Sequence, residues 1–309
     1  MSKDIVIVGS CMIDFVSYVP RLPRPGETLI GSEFKRTFGG KGANQCVAAT
    51  KLGASTFLVA SLGNDIFGQE YLQLLKSLNV NIDHLKIRDN VNSGVAQIMV
   101  AENGENSIVI VVGANVLLSP TDVDEAHEVI KNATVLLAQF ETCLETTLYA
   151  LKLHKGHGTS IVNGAPAIKD VTSDILKNCD IFCLNETETE IMTGIQSLTL
   201  LNAQEAFYKL FNMGCNTVII TLGANGAIFA SRNKPKMIHI PIDEVKPVDT
   251  TGAGDAFLGA LAYFIAYHPQ ISMAESIRRA CRIASQSVLK SGTQSSFPIK
   301  TELPDELFS

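Results

Sequence analysis

The segment Asp249-Thr250-Thr251-Gly252-Ala253-Gly254-Asp255 runs directly into an apolar stretch, Ala256 to Tyr267. Two glycines just before a helix leave backbone N–H groups unshielded by Cβ atoms. The helix dipole adds partial positive charge there, so the turn can hold an anion. Asp255 is a poor cap for such a site, because it brings negative charge to the place where an anion would bind. It suits a general base instead, one that takes a proton from a hydroxyl attacking the bound group. An ordinary turn with an acidic helix start is the competing reading of the heptad.

A second glycine cluster, Gly39-Gly40-Lys41-Gly42-Ala43-Asn44, also precedes a helix-like stretch. It lacks the spacing of a P-loop, and no Gly-x-Gly-x-x-Gly dinucleotide fingerprint occurs. Bare backbone lets this loop approach a polar ligand closely, Asn44 offers both a donor and an acceptor, and Lys41 can reach a phosphate. A third cluster, Asn185-Glu186-Thr187-Glu188, follows the apolar run Ile181–Leu184. Hard oxygen ligands at the end of a strand suit Mg²⁺, which keeps several waters and takes few protein ligands. A plain helix cap is the alternative there.

These clusters need elements to position them. Short β-branched runs at Ile5–Val8, Thr56–Ala60, Val135–Ala138, Ser160–Asn163, Ile181–Leu184 and Thr217–Thr221 alternate with helix candidates at Ala43–Leu52, Phe67–Leu78 and Thr121–Lys131. Strands this apolar are covered on both faces, as in parallel sheets. The βαβα order implies one doubly wound α/β sheet with helices on both faces, spanning 1–309. Two segments break the rhythm, about 15–38 and 93–112. Both contain half-polar strands, and Asn103-Gly104 marks a hairpin. They imply a small second sheet, standing off the main body as a lid. His154 and His157, three apart with no partner carboxylate or Cys, read as a solvated face. Phe207 and Phe211 read as helix packing, as does the series Phe257, Tyr263, Phe264 and Tyr267.

Composition excludes several classes. The 309 residues carry 25 Lys+Arg against 31 Asp+Glu, a net charge of −6, without basic runs. Neither a nucleic-acid partner nor a polybasic membrane anchor fits. The longest apolar run, Ala256 to Tyr267, is shorter than the ~20 residues of a spanning helix. The Ile5–Val8 run is too brief for a signal-peptide core. Seven Cys, at 11, 46, 143, 179, 183, 215 and 281, form no Cys-x-x-Cys pair and read as reduced thiols of a cytoplasmic protein, a nuclear one included.

GGKGAN at 39–44, NETE at 185–188, TLGANG at 221–226 and DTTGAGD at 249–255 occur in the order and spacing of the PfkB carbohydrate kinases, and the chain resembles that family nearly end to end. The resemblance implies a Rossmann-like domain with a β-sheet lid that also forms a homodimer interface. It implies ATP-dependent phosphorylation of the ribose 5-hydroxyl, with Asp255 as general base. The amides of Gly252, Ala253 and Gly254 are similar to the family's anion hole, where loss of one comparable donor costs about 3 kcal/mol. Met12, Ile13, Asp14, Gly40, Lys41, Gly42, Ala43, Asn44 and Glu141 match sugar-contacting positions. Asn185 matches a nucleotide-phosphate contact, and Glu188 the residue that orients Mg²⁺ through water. Thr221, Leu222, Gly223, Ala224, Asn225 and Gly226 resemble the loop around ATP, joined by Gly254, Asp255 and, at the adenine edge, Cys281. K⁺ is implied beside the anion hole at Asp249, Thr251, Ser287, Lys290, Gly292 and Ser296.

One departure concerns the sugar. Many relatives have Asn where this chain has Met12, so an amide contact is lost and only backbone donors remain there. A kinase for 2-deoxyribose, fructose or adenosine is therefore the alternative within the family, and a non-catalytic sugar or nucleotide sensor the alternative outside it.

Overall fold

The structure is a computed structural model that describes residues 3–309. The chain begins β1 (Ile5–Val8), β2 (Met12–Val19), β3 (Glu33–Gly39), α1 (Lys41–Lys51), β4 (Thr56–Gly63), α2 (Ile66–Ser77), β5 (Leu85–Arg88), β6 (Gly94–Ala101) and β7 (Asn106–Val111). It continues with α3 (Pro120–Glu125), α4 (His127–Asn132), β8 (Val135–Ala138), α5 (Leu144–His154), β9 (Thr159–Asn163), α6 (Ser173–Asn178), β10 (Ile181–Asn185) and α7 (Glu186–Thr193). It ends with α8 (Ala203–Met213), β11 (Thr217–Thr221), β12 (Ala227–Ser231), β13 (Lys234–Ile240), α9 (Ala253–Tyr267) and α10 (Met273–Ser287).

The main sheet has the order β13-β12-β11-β10-β9-β8-β1-β4-β5. All neighbours from β11 to β5 are parallel, and β12 and β13 close the far edge as an antiparallel pair. Side chains alternate across a strand, so β1 sends Ile5 and Ile7 into a core shared with α1, α2, α9 and α10. Val6 and Val8 enter the opposite core, shared with α3 to α8. Each fully buried side chain of this size contributes about 1.5–3 kcal/mol, which is why β1 tolerates no polar residue on either face.

Strand order reverses between β1 and β8: the chain winds from β1 toward β5, then returns to build β8 to β11 on the other side. In open α/β sheets ligands bind beyond the carboxyl ends of the strands at this switch point. Ser10 after β1, Gln139 to Glu141 after β8, Asn163 ending β9 and Asn185 ending β10 all lie at that edge.

The two interrupting segments form a separate sheet of order β3-β2-β6-β7. Its central pair β2–β6 is parallel and both outer pairs are antiparallel. Its first strand starts at Met12 rather than near residue 15, because Met12 already pairs with Gly39 and Gly94. Only three residues therefore separate β1 from this second sheet. Asn115 fastens the junction: its Oδ1 accepts from the Cys11 amide at 2.8 Å, and its Nδ2 donates to the carbonyls of Cys11 at 2.8 Å and Val112 at 2.9 Å.

Two expectations need correction. The helix expected over 121–131 is two helices, parted where the Ala126 amide bonds Val123 carbonyl at 3.0 Å in a tight turn. His154 is not on a solvated face. It ends α5 fully buried, with Nδ1 against the Ile130 carbonyl at 2.8 Å, whereas His157 lies beyond the helix and is exposed. The Ile130 carbonyl at the end of α4, which also accepts from the Ala133 amide at 3.3 Å, gives the inward-turned ring its partner.

Candidate active site

Gly252 caps α9 in a left-handed conformation (φ +79°), which glycine adopts without strain. The amides of Gly252 and Gly254 have no backbone partner among the described residues, whereas the Ala253 amide donates to the Thr250 carbonyl at 3.2 Å. The expected set of three open amides is thus reduced to two, because the tight turn from Thr250 consumes the middle one. Asp255 follows in the first helical turn and is 7% exposed. Its Oδ2 accepts from Asn44 Nδ2 and its Oδ1 from Gln45 Nε2, each at 3.0 Å. This contact exists because α1 and α9 touch backbone to backbone at Gly259, where a Cβ would lie 2.6 Å from both the Gln45 carbonyl and the Ala48 methyl.

Asp255 lines a cavity of about 160 Å³ together with Lys41, Asn163, Asn185, Glu188 and Gly254. Burial lowers the Lys41 pKa, but the carboxylates of Asp255, Glu141 and Glu188 outweigh it and hold the ammonium above its ordinary value. Glu188 is shifted upward by burial. Asn185 and Glu188 form a capping box: each backbone amide donates to the other's side-chain oxygen at 2.8 Å. The cap reading of this cluster therefore holds, and one Glu188 oxygen, Oε1, remains outside it.

Asp14 lies near enough to Asp255 and Glu141 for their charges to act on it. Met12 and Asp14 share one face of β2, and Ile13, fully buried, lies on the opposite face. Burial, then the charges of Glu141 and Asp255, push the Asp14 carboxyl up to about 7. Glu141 accepts from Ser10 Oγ at 2.5 Å and from the Lys41 amide at 2.8 Å, so it ties the start of α1 to the end of β1. The run from Gly40 to Asn44 completes that tie, with the Ala43 amide on the Ser10 carbonyl at 2.9 Å and the Asn44 amide on the Gly40 carbonyl at 2.8 Å. Gly42 permits the approach. Met12 is buried, with its sulfur 3.6 Å from Asn115 Nδ2. The amide missing at position 12 is not replaced by Asn115, whose hydrogen-bonding groups are already used on backbone.

A second cavity of about 370 Å³ adjoins the first, sharing Asn185, Thr221, Gly254 and Phe257. Gly223, Ala224, Gly226 and Cys281 line it as expected, against Ala284 and Val288. Leu222 and Asn225 do not line it. Leu222 is buried in the core beneath, and Asn225 turns its carbonyl to His239 at 2.8 Å. Burial pushes the Cys281 thiol up to about 12, so it acts as an apolar wall rather than a nucleophile.

Asp249 bridges two distant segments, accepting from the Thr251 amide and from the Gly292 amide, each at 2.9 Å. Burial raises its pKa, but the Gly292 and Thr251 bonds outweigh that and hold it below the ordinary value. The Ser287 carbonyl faces the Lys290 amide at 3.4 Å, and Ser296 hydroxyl donates to Thr293 carbonyl at 2.8 Å. The Lys290 side chain turns away to Glu302, 3.4 Å distant, leaving only its backbone toward this turn.

Several buried polar residues around the site escaped the sequence reading: Ser10, Gln45, Tyr71, Asn115, Gln139, Asn163 and Gln294. A signal existed for two of them. Gln139 and Asn163 are polar residues closing otherwise apolar buried strands, which marks the ligand edge of a parallel sheet. Nothing in the sequence marked Tyr71 or Gln294, which packing brings to Asn44 through the Gln294 amide.

A family model described as pfkB family carbohydrate kinase matches residues 2–300. A ribokinase of Mus musculus is 44% identical over 98% of this chain and 94% of its own length. A deoxyribokinase of Salmonella typhimurium is 39% identical over 96% of this chain and 95% of its own. The structure of an Arabidopsis thaliana ribokinase complexed with ribose and ATP superposes with a TM-score of 0.88 at 30% identity, covering 97% of each chain.

Proposed function

The chain belongs to the pfkB family of carbohydrate kinases, and on that premise we propose that it is a ribokinase, transferring the γ-phosphoryl group of ATP to the 5-hydroxyl of D-ribose. The observation that carries the reading is the position of Asp255. Its carboxylate is near enough to Asp14, together with Glu141, to raise that carboxyl's proton affinity, and it also lines the first of two joined cavities that lead past Asn185 to Cys281. A sugar held at Asp14 and a nucleotide in those cavities bring hydroxyl and phosphate together at Asp255.

Asp14 accepts from vicinal sugar hydroxyls, and Asn44 and the bare backbone from Gly40 to Ala43 close around the ring. Asp255 takes the O5 proton as O5 attacks the γ-phosphorus. The O5–P bond forms, the bond from γ-phosphorus to the β-γ bridging oxygen breaks, and ADP leaves. The Gly252 and Gly254 amides and Lys41 face the charge that accumulates on the transferring group. Glu188 and Asn185 offer hard oxygens suited to Mg²⁺, which when bound neutralises phosphate charge. K⁺ would be held by Asp249 with backbone oxygens of Thr251, Ser287, Lys290, Gly292 and Ser296. What supports this is an ionised carboxylate otherwise placed beside a phosphate site.

The second sheet acts as a lid over the sugar, excluding water that would compete as acceptor. It also pairs two copies into a homodimer. Supporting this, edge strand β7 exposes Ile108, Val109, Ile110 and Val111, an apolar edge that soluble proteins cover. Six of the seven free thiols are buried, which suits the reducing cytoplasm.

The test is ADP release with ribose, 2-deoxyribose, fructose and adenosine, with and without K⁺, on wild type and Asp255→Ala. Ribose is expected to give the highest kcat/KM, and Asp255→Ala to lower kcat by about 10³-fold or more. Near-wild-type turnover by Asp255→Ala would remove the mechanism.

A further inference from the structure

Asp255 is held by two chains of carboxamides whose outer members lie far from it in sequence. An ionised carboxylate only accepts, so both amides touching Asp255 must turn their NH₂ groups to it. That choice dictates the next link. Asn44 has only its oxygen left for the far side, where it accepts from Gln294 Nε2 at 2.9 Å. Gln45 likewise turns its Oε1 to Gln139 Nε2 at 2.7 Å. Gln294 Nε2 also reaches the Tyr71 hydroxyl at 2.6 Å, and that hydroxyl donates to the Gly39 carbonyl at 2.6 Å. All five side chains are buried.

The outer glutamines are held at a cost. Oε1 of Gln139 and Oε1 of Gln294 are buried and accept from nothing among the described residues. Buried acceptors are normally satisfied, and leaving one unmade is unfavourable. A purely structural amide would be free to choose the orientation that uses both ends. In both chains the retained bond is the one that aims an NH₂ group inward, toward the base.

We propose that Gln139 and Gln294 are positioning residues for phosphoryl transfer: they lock the carboxamides of Gln45 and Asn44 with NH₂ toward Asp255, so that the lone pair facing the cavity receives the sugar proton. The inference rests on the kinase reading above. It also links the base to the segment carrying Gly292, which Asp249 binds, through Gln294 two residues later.

The experiment replaces each outer amide by a side chain of similar length without a donor, Gln139→Met and Gln294→Met, and measures kcat, KM for ribose and ATP, and melting temperature. The expected result is a fall in kcat of about 10- to 100-fold in each folded variant, since a small displacement of a catalytic group has that effect. Both KM values are expected to stay within about 3-fold, because the inner residues that meet substrate are retained. Wild-type kcat in the folded variants, or a loss confined to KM, overturns the proposal. Tyr71→Phe removes the hydroxyl that anchors Gln294 and supplies a milder variant should a Met variant fail to fold. Its kcat is expected to fall several-fold at unchanged KM, and an unchanged kcat overturns the Gln294 branch. A wild type inactive on ribose, or an active Asp255→Ala, fails the kinase reading and this inference together. An active wild type and inactive Asp255→Ala, with unaffected glutamine variants, fails this inference alone.

Discussion

Asp14, Glu141 and Asp255 lie close enough together for the charges of the last two to act on the first. Burial first, then the two neighbouring carboxylates, keep the Asp14 proton in place up to about pH 7. An unfolded Asp releases it near pH 4, so the native state binds more protons across that window. The stabilisation from this group is therefore complete below about pH 4 and lost as pH rises through about 7. The melting temperature of Asp14→Asn should fall less than that of wild type between about pH 5 and 8; equal slopes would refute the assignment. The same residue was legible in the sequence only through family resemblance. Its raised proton affinity comes first from burial and then from Glu141, which lies after β8 and comes near only when the sheet forms.

At the scale of elements, the active geometry depends on how closely α1 and α9 approach. Asn44 and Gln45 begin α1, Asp255 begins α9, and Gly259 lies one turn further along α9 against the α1 backbone. Gly259→Ala places a methyl group 2.6 Å from the Gln45 carbonyl and the Ala48 methyl, well inside van der Waals contact, so the helices must part. The expected outcome is a loss of about 1–3 kcal/mol in stability and a fall in kcat of about 10²-fold, from displacement of the Asp255 contacts. Denaturant unfolding and steady-state kinetics on one preparation check both; wild-type kcat with reduced stability would detach the helix contact from catalysis. The sequence shows Gly259 inside the apolar helix but not why it is needed. Its partner was not legible, because α1 and α9 are separated by some 200 positions along the chain.

At the scale of the whole molecule, the second sheet ends in β7, whose Ile108, Val109, Ile110 and Val111 are exposed on both faces of the strand. A charge at such an edge opposes pairing. Ile108→Lys with Ile110→Lys should shift a wild-type dimer to monomer in light scattering, with the melting temperature of the main body little changed. A wild type that is already monomeric would sink the dimer reading. Among the described residues no helix is long and apolar enough to cross a membrane.

Local chemistry was legible without coordinates. Apolar periodicity placed β1, β8 and β11 to the residue and the second sheet within a few residues, since strand patterning is a property of neighbouring side chains. Glycines beside Asp255, and Asn185 three before Glu188, marked a helix mouth and a cap for the same reason. What folding alone decided was which polar groups meet. The Ala253 amide is spent on Thr250, Leu222 and Asn225 stay off the lining of the larger cavity, His154 turns into the core, Gln139 aims at Gln45 and Gln294 at Asn44. Apart from the local Ala253–Thr250 turn, these outcomes depend on partners more than a turn away in sequence, where hydrogen-bond competition is settled by packing rather than by local propensity.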